Sequence, residues 1–161
     1  MIAELSERTE EIRRFHAEPW PFQKTFKTPL EDLSRFVSVI LGPFEPEKGT
    51  LSTDEVVFEP RRLLELMARN SITVENQWDL NLGAEGREDI ADLLEAALGD
   101  WVDFVFLLSP GSIAIYADHD EYTTFYCLDQ SVLANLGSEL VQAGFESISN
   151  YIRGRVEDRL Q

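Results

Sequence analysis

The chain has 161 residues, of which 43% are hydrophobic, with ten Phe and three Trp. That length fits a single domain, 1–161, with a sizeable buried core, and the composition excludes a disordered chain. Thirty acidic residues oppose fourteen basic ones, a net charge of −16, which disfavours nucleic acid because neutralising phosphates takes a basic face.

The same charge favours a basic protein partner, because opposite fields steer association. The longest apolar runs, such as Phe104 to Leu108, are far too short to span a bilayer. The opening Met1 to Glu7 is acidic and lacks the apolar core of a signal peptide, so the expectation is a cytoplasmic protein without membrane contact. One cysteine, Cys127, excludes an internal disulfide framework and a cysteine-rich zinc site. No cofactor is expected.

In chain order, Ile2, Leu5, Ile12 and Phe15 predict an amphipathic helix over 2–15. Residues 16–29 hold Pro19, Pro21 and Pro29 and read as an irregular connection. Leu30, Leu33, Phe36, Val37, Ile40 and Leu41 predict a second helix over 30–41, stopped by Gly42-Pro43. Residues 43–60 carry prolines and Gly49 and predict a long loop with a short strand at 55–58. Pro60 opens a helix reaching Met67 or Ala68. Weak alternation predicts a strand within 72–82. Ile90, Leu93, Leu94, Ala97 and Leu98 give a helix over 87–98, ended by Gly99.

Residues 101–128 read as a three-strand antiparallel meander, with turns at Pro110-Gly111 and His119-Asp120-Glu121. Leu108 opposite Ile113 sets Phe106 against Ile115 and Phe104 against Ala117. Ile115 opposite Phe125 sets Ile113 against Cys127. One face is then Val102, Phe104, Phe106, Leu108, Ile113, Ile115, Phe125 and Cys127, a core face. The other is mixed, with Asp103, Val105, Leu107, Tyr116, Asp118, Tyr122, Thr124 and Tyr126. An apolar stripe from Val132 to Leu160 predicts one long C-terminal helix over 129–161, or two shorter ones bent at Gly137 or Gly144. The fold class is therefore α+β, with the meander packed against several helices.

The catalytic fingerprints of nucleotide-binding, zinc-protease and serine-hydrolase folds are absent from the sequence. The two histidines are His16 and His119. Asp118-His119-Asp120-Glu121 has the residue types of a divalent-cation site. Neighbours in a strand point to opposite faces, however, so all four cannot converge. A polar hairpin turn is the simpler reading. His16 reads as a helix-end residue and Cys127 as a small buried hydrophobe. No catalytic or metal-ligating residue is assigned.

Charge is uneven along the chain. Between Glu75 and Glu121, twelve acids face Arg87 alone, a net of −11 in 47 residues. Glu88, Asp92 and Glu95 share one solvent face of the 87–98 helix, where like charges at i, i+4 cost roughly 0.2–0.5 kcal/mol per pair. Aromatics within an acidic surround suit a protein interface with anchor residues. The candidate partner-binding set is Trp78, Asp79, Glu88, Asp92, Glu95, Asp103, Tyr116, Asp118, Asp120, Glu121, Tyr122 and Tyr126. Size, acidity, the acidic 75–121 block and the helix–meander–helix layout resemble the immunity proteins of bacterial toxin systems. That resemblance implies an inhibitor that covers the active site of a basic toxin or nuclease domain. Two other readings stand beside it. One is a small regulatory or ligand-binding module with a pocket between sheet and helices, lined by the mixed meander face. The other is a carboxylate- or metal-dependent enzyme with Asp118, His119 and Asp120 as candidate ligands.

Overall fold

The computed structural model describes residues 1–110 and 113–154. Among them, five helices accompany one antiparallel sheet of eight strands, a mixed α+β arrangement. No described helix is long and apolar enough to cross a membrane.

The strands are β1 (Ile2–Glu4), β2 (Phe22–Lys27), β3 (Lys48–Val56), β4 (Asn81–Glu85), β5 (Val102–Ser109), β6 (Ile113–Ala117), β7 (Tyr122–Cys127) and β8 (Ser147–Ile148). The helices are α1 (Glu10–Ala17), α2 (Leu33–Leu41), α3 (Arg61–Arg69), α4 (Arg87–Gly99) and α5 (Gln130–Gln142). The strand order is β1-β4-β3-β5-β6-β7-β2-β8. The meander β5-β6-β7 is thus the centre of a larger sheet. Its register pairs Phe104 with Ala117, Phe106 with Ile115, Ile115 with Phe125 and Ile113 with Cys127.

The inner face of the sheet meets α2, α3, α4 and α5. Val102, Phe104, Phe106, Leu108, Ile113, Ile115, Phe125 and Cys127 all enter this main core, with Phe36, Leu63, Leu94 and Leu136 from the helices. The outer face lies under α1. Ile12 and Phe15 pack there on Val105, Ala114, Tyr116 and Tyr126 in a second buried cluster. Two apolar layers therefore sandwich the meander, the commonest way to bury both faces of a sheet.

Several expectations are corrected. Residues 2–15 are not one helix. Ile2 pairs with Ala84 in β1, and the helix begins only after Thr9, whose side chain accepts from the Ile12 N–H. Residues 22–27 are not irregular but form β2, which pairs with β7 along its length. Prolines at 19 and 21 precede that strand without entering it.

The 43–60 loop contains the nine-residue strand β3 (Lys48–Val56), paired with β4 on one side and β5 on the other. Its core segment, Gly49-Thr50-Leu51-Ser52-Thr53, carries one large apolar residue, so periodicity did not reveal it. Gly49 is needed for close approach. A Cβ there would sit 2.7 Å from the Phe106 ring. The 72–82 strand narrows to a start at Asn81, because Asn76 forms a turn that receives the Trp78 N–H on its side chain.

The long C-terminal helix stops at Gln142. Gly144 adopts φ +93°, its N–H reaches the Val141 carbonyl, and the Phe145 N–H reaches the Leu140 carbonyl. This 6→1, 5→2 pairing ends a helix in the left-handed conformation, and buried Phe145 adds the accompanying apolar contact. The part of the expected helix over 155–161 lies outside the described residues.

Candidate functional site

The acidic block from Glu75 to Glu121 divides into two kinds of carboxylate. The first kind is built into the fold. Asp100, at the end of α4, accepts the backbone N–H groups of Arg62 and Leu63 at 3.0 and 2.8 Å. It supplies the N-terminal cap that Pro60 cannot provide to α3. Burial pushes its carboxyl above the ordinary value, partly offset by those two hydrogen bonds. Asp89 is engaged by the Met1 amino group.

Asp118 meets Arg153. The guanidinium donates to Asp118 Oδ2 at 2.6 Å, to Thr124 Oγ1 at 2.9 Å and to the Tyr122 carbonyl at 3.3 Å. Its plane lies 4.9 Å from the Tyr116 ring centre. The Arg153 backbone is held in turn by Gln23, whose Oε1 accepts its N–H at 2.8 Å. The Tyr126 hydroxyl donates to its carbonyl at 3.3 Å. Tyr116 and Tyr126 are thus buried beneath α1 and this segment, with Tyr126 only 1% exposed. Their burial removes both from a contact surface, as does that of Asp103.

The second kind of carboxylate is left to solvent. Glu88 and Asp92 are exposed and Glu95 half-buried on α4, while Ile90, Leu93, Leu94 and Ala97 commit the opposite side to the core. Among the described residues, none of the three acids joins an ion pair. Asp79 and Asp120 are exposed, and Glu121 and Tyr122 half-buried at the β6–β7 turn. Trp78 is 50% exposed beside Asp79. The structure therefore keeps Trp78, Asp79, Glu88, Asp92, Glu95, Asp120, Glu121 and Tyr122 accessible, and takes Asp103, Asp118, Tyr116 and Tyr126 inside.

A third group was hidden in the sequence. β3 and β5 shift register between Thr53 and Glu55, which brings Asp54 and Glu55 out of simple alternation. Both histidines lie beside carboxylates here. Asp54 Oδ1 faces His16 Nε2 at 3.7 Å and accepts from Arg8 at 3.3 Å. Asp103, opposite Glu55 in the β3–β5 register, accepts both the His119 backbone N–H and its ring Nδ1 at 2.8 Å. That hydrogen bond holds the His119 imidazole above its ordinary pKa against the opposing effect of burial. The charges of Asp103, Asp120 and Glu55 add to it. Ligand atoms of Glu55, Asp103 and His119 all lie within 4.8 Å of one another. The expected set Asp118, His119 and Asp120 does not converge, because Asp118 is drawn to Arg153.

Next to this group, Phe58 and Trp101 are half exposed and meet edge to face, with ring centres 5.6 Å apart. Trp101 has φ +56°, an unusual conformation for a bulky residue. Nothing in the local sequence pattern pairs Phe58 with Trp101, because they meet only through the β3–β5 register, which sets Val56 against Val102. Cys127 is buried, and desolvation pushes its thiol up to about 12, so it stays protonated and inert at neutral pH. Comparison of the chain with protein-family models, curated proteins and solved structures found no match.

Proposed function

We propose that this protein is a small acidic binding protein that docks a basic protein partner through the solvent face of α4. The reading extends to an immunity-type inhibitor that covers the active site of a toxin or nuclease domain. The observation that carries it is the run of Glu88, Asp92 and Glu95 along one helix face with no ion pair among the described residues. A face serving only solubility gains a few tenths of a kcal/mol from interleaved Lys or Arg, at roughly 0.2–0.5 kcal/mol per i, i+4 pair. This face forgoes that gain and keeps a one-signed field suited to steering a basic surface. Asp79 with exposed Trp78 offers an aromatic anchor with an acidic neighbour.

The test is co-purification of the chain from its native host at low salt. One basic protein is expected, released as salt rises through the range where the Debye length falls below about 10 Å. Charge reversal at Glu88 and Asp92 to Arg should abolish its recovery while the protein still unfolds in one cooperative transition. Recovery of no protein partner, or of one indifferent to that double reversal, would overturn the proposal.

A further inference from the structure

We propose that Glu55, Asp103 and His119 form a binding site for one divalent transition-metal ion. The site lies at the end of the sheet where the β3 bulge meets the start of β5 and the β6–β7 turn. It is separate from the acidic face of α4 and does not depend on it.

The case begins with charge. Glu55 and Asp103 are direct cross-strand partners, and like charges placed opposite one another in an antiparallel pair are destabilising. Asp120 adds a third carboxylate, its Oδ1 lying 3.9 Å from His119 Nε2. Among the described residues, no Lys or Arg ion-pairs with any of the three. Among the described residues a single imidazole is the only group of opposite sign that pairs with these carboxylates, so the cluster is short of positive charge.

The second observation is an unused oxygen in a buried carboxylate. Asp103 is 5% exposed. Both bonds from His119 go to its Oδ1. Its Oδ2 takes no hydrogen bond, and the Glu55 carboxylate likewise has no partner, among the described residues. Neither is a buried orphan, so each is open to an ion that displaces water, and one ligand atom each of Glu55, Asp103 and His119 lies within 4.8 Å of the others. The backbone bond from the His119 N–H fixes Asp103, and an ion bound here takes the place of the proton shared between His119 Nδ1 and Asp103 Oδ1, which is released.

The donor set selects the metal. One imidazole with two carboxylates suits Zn2+ or Mn2+. It is too poor in oxygen donors for a calcium cage of six to eight. The exposed side of Glu55 and of the β6–β7 turn gives an ion a route in.

The test is calorimetric titration of the full chain with Zn2+ and, in parallel, Mn2+, after chelator treatment and dialysis. One ion per chain is expected. Glu55→Gln and His119→Ala should each weaken binding about tenfold or more, as loss of a ligand or its orienting partner does. Both side chains are accessible enough for the variants to fold, which a thermal melt without metal confirms. His16→Ala should bind as the parent does. Two results would overturn the site: no one-to-one binding of either ion, or binding unaffected by Glu55→Gln and His119→Ala. Loss in His16→Ala alone would place the ion by Asp54 and overturn it equally. Co2+ supplies a further readout, since its quenching of Trp101 fluorescence, seen as the difference from Trp101→Phe, should disappear in His119→Ala.

Discussion

Asp118 and Asp92 belong to the same acidic stretch of sequence, yet the fold treats them oppositely. Asp118 is drawn under the tail segment, pairs with Arg153 at 2.6 Å and anchors a network through Thr124, Tyr116 and Gln23. Asp92 stands in solvent on α4 between Glu88 and Glu95, with no ion pair among the described residues. A carboxylate inside must be matched, because desolvation is costly for an unpaired charge. A carboxylate outside needs no match and is free to project a field. Charge read along a sequence therefore merges two physically different populations. Only the exposed one bears on a partner.

Three measurements break or sharpen that contrast. Arg153→Ala leaves Asp118 buried beside empty space and should lower unfolding free energy by about 3–5 kcal/mol in urea titration. Replacing both partners, Arg153→Met with Asp118→Leu, should recover much of that loss. A small effect of the single variant would place Asp118 with the surface acids. Asp100→Ala removes two charge-assisted bonds to the start of α3 and should cost about 1–3 kcal/mol. Amide exchange at Arg62 and Leu63 should quicken beyond the global change. At the other end of the scale, Asp92→Asn with Glu95→Gln relieves like-charge repulsion beyond the first turn of α4, where the helix N-terminus no longer rewards a negative charge. It should stabilise the chain by about 0.2–0.5 kcal/mol, read as a slight rise in melting temperature. A loss of stability there would mean that the α4 acids also serve the fold.

The two faces of the sheet differ in how readily the sequence disclosed them. On the inner face, Phe104, Phe106, Ile115 and Phe125 alternate with a period of two, and their register followed from that alternation alone. The outer face mixes Asp103, Tyr116, Thr124 and Tyr126, a pattern that fits either a wet surface or a second core. What decides it is α1, which places Ile12 and Phe15 over the tyrosines, and Arg153, which arrives from 29 residues beyond Thr124. β3 was hidden for a related reason. Its Gly49, Asp54 and Glu55 are poor strand formers, Leu51 is the one large apolar residue of its centre, and it is held by β4 and β5 on both sides.

The metal-site candidate shows the same limit at the scale of three side chains. His119 and its acidic neighbours stood out in the sequence, but the grouping suggested there was local. Glu55 and Asp103 reach His119 through a bulge and a cross-strand register, which span 64 residues of chain from Glu55 to His119.

The sequence by itself determined the mixed α+β class, the central meander and its register, the helices around α2, α3 and α4, and the location of the acidic block. Each rests on periodicity, breakers or charge, which are local and additive along the chain. Tertiary structure alone decided that the sheet has eight described strands, which acids are buried, and that both histidines lie against carboxylates beside the β3 bulge. Those features depend on contacts between distant segments, whose energies arise only once the chain has closed on itself.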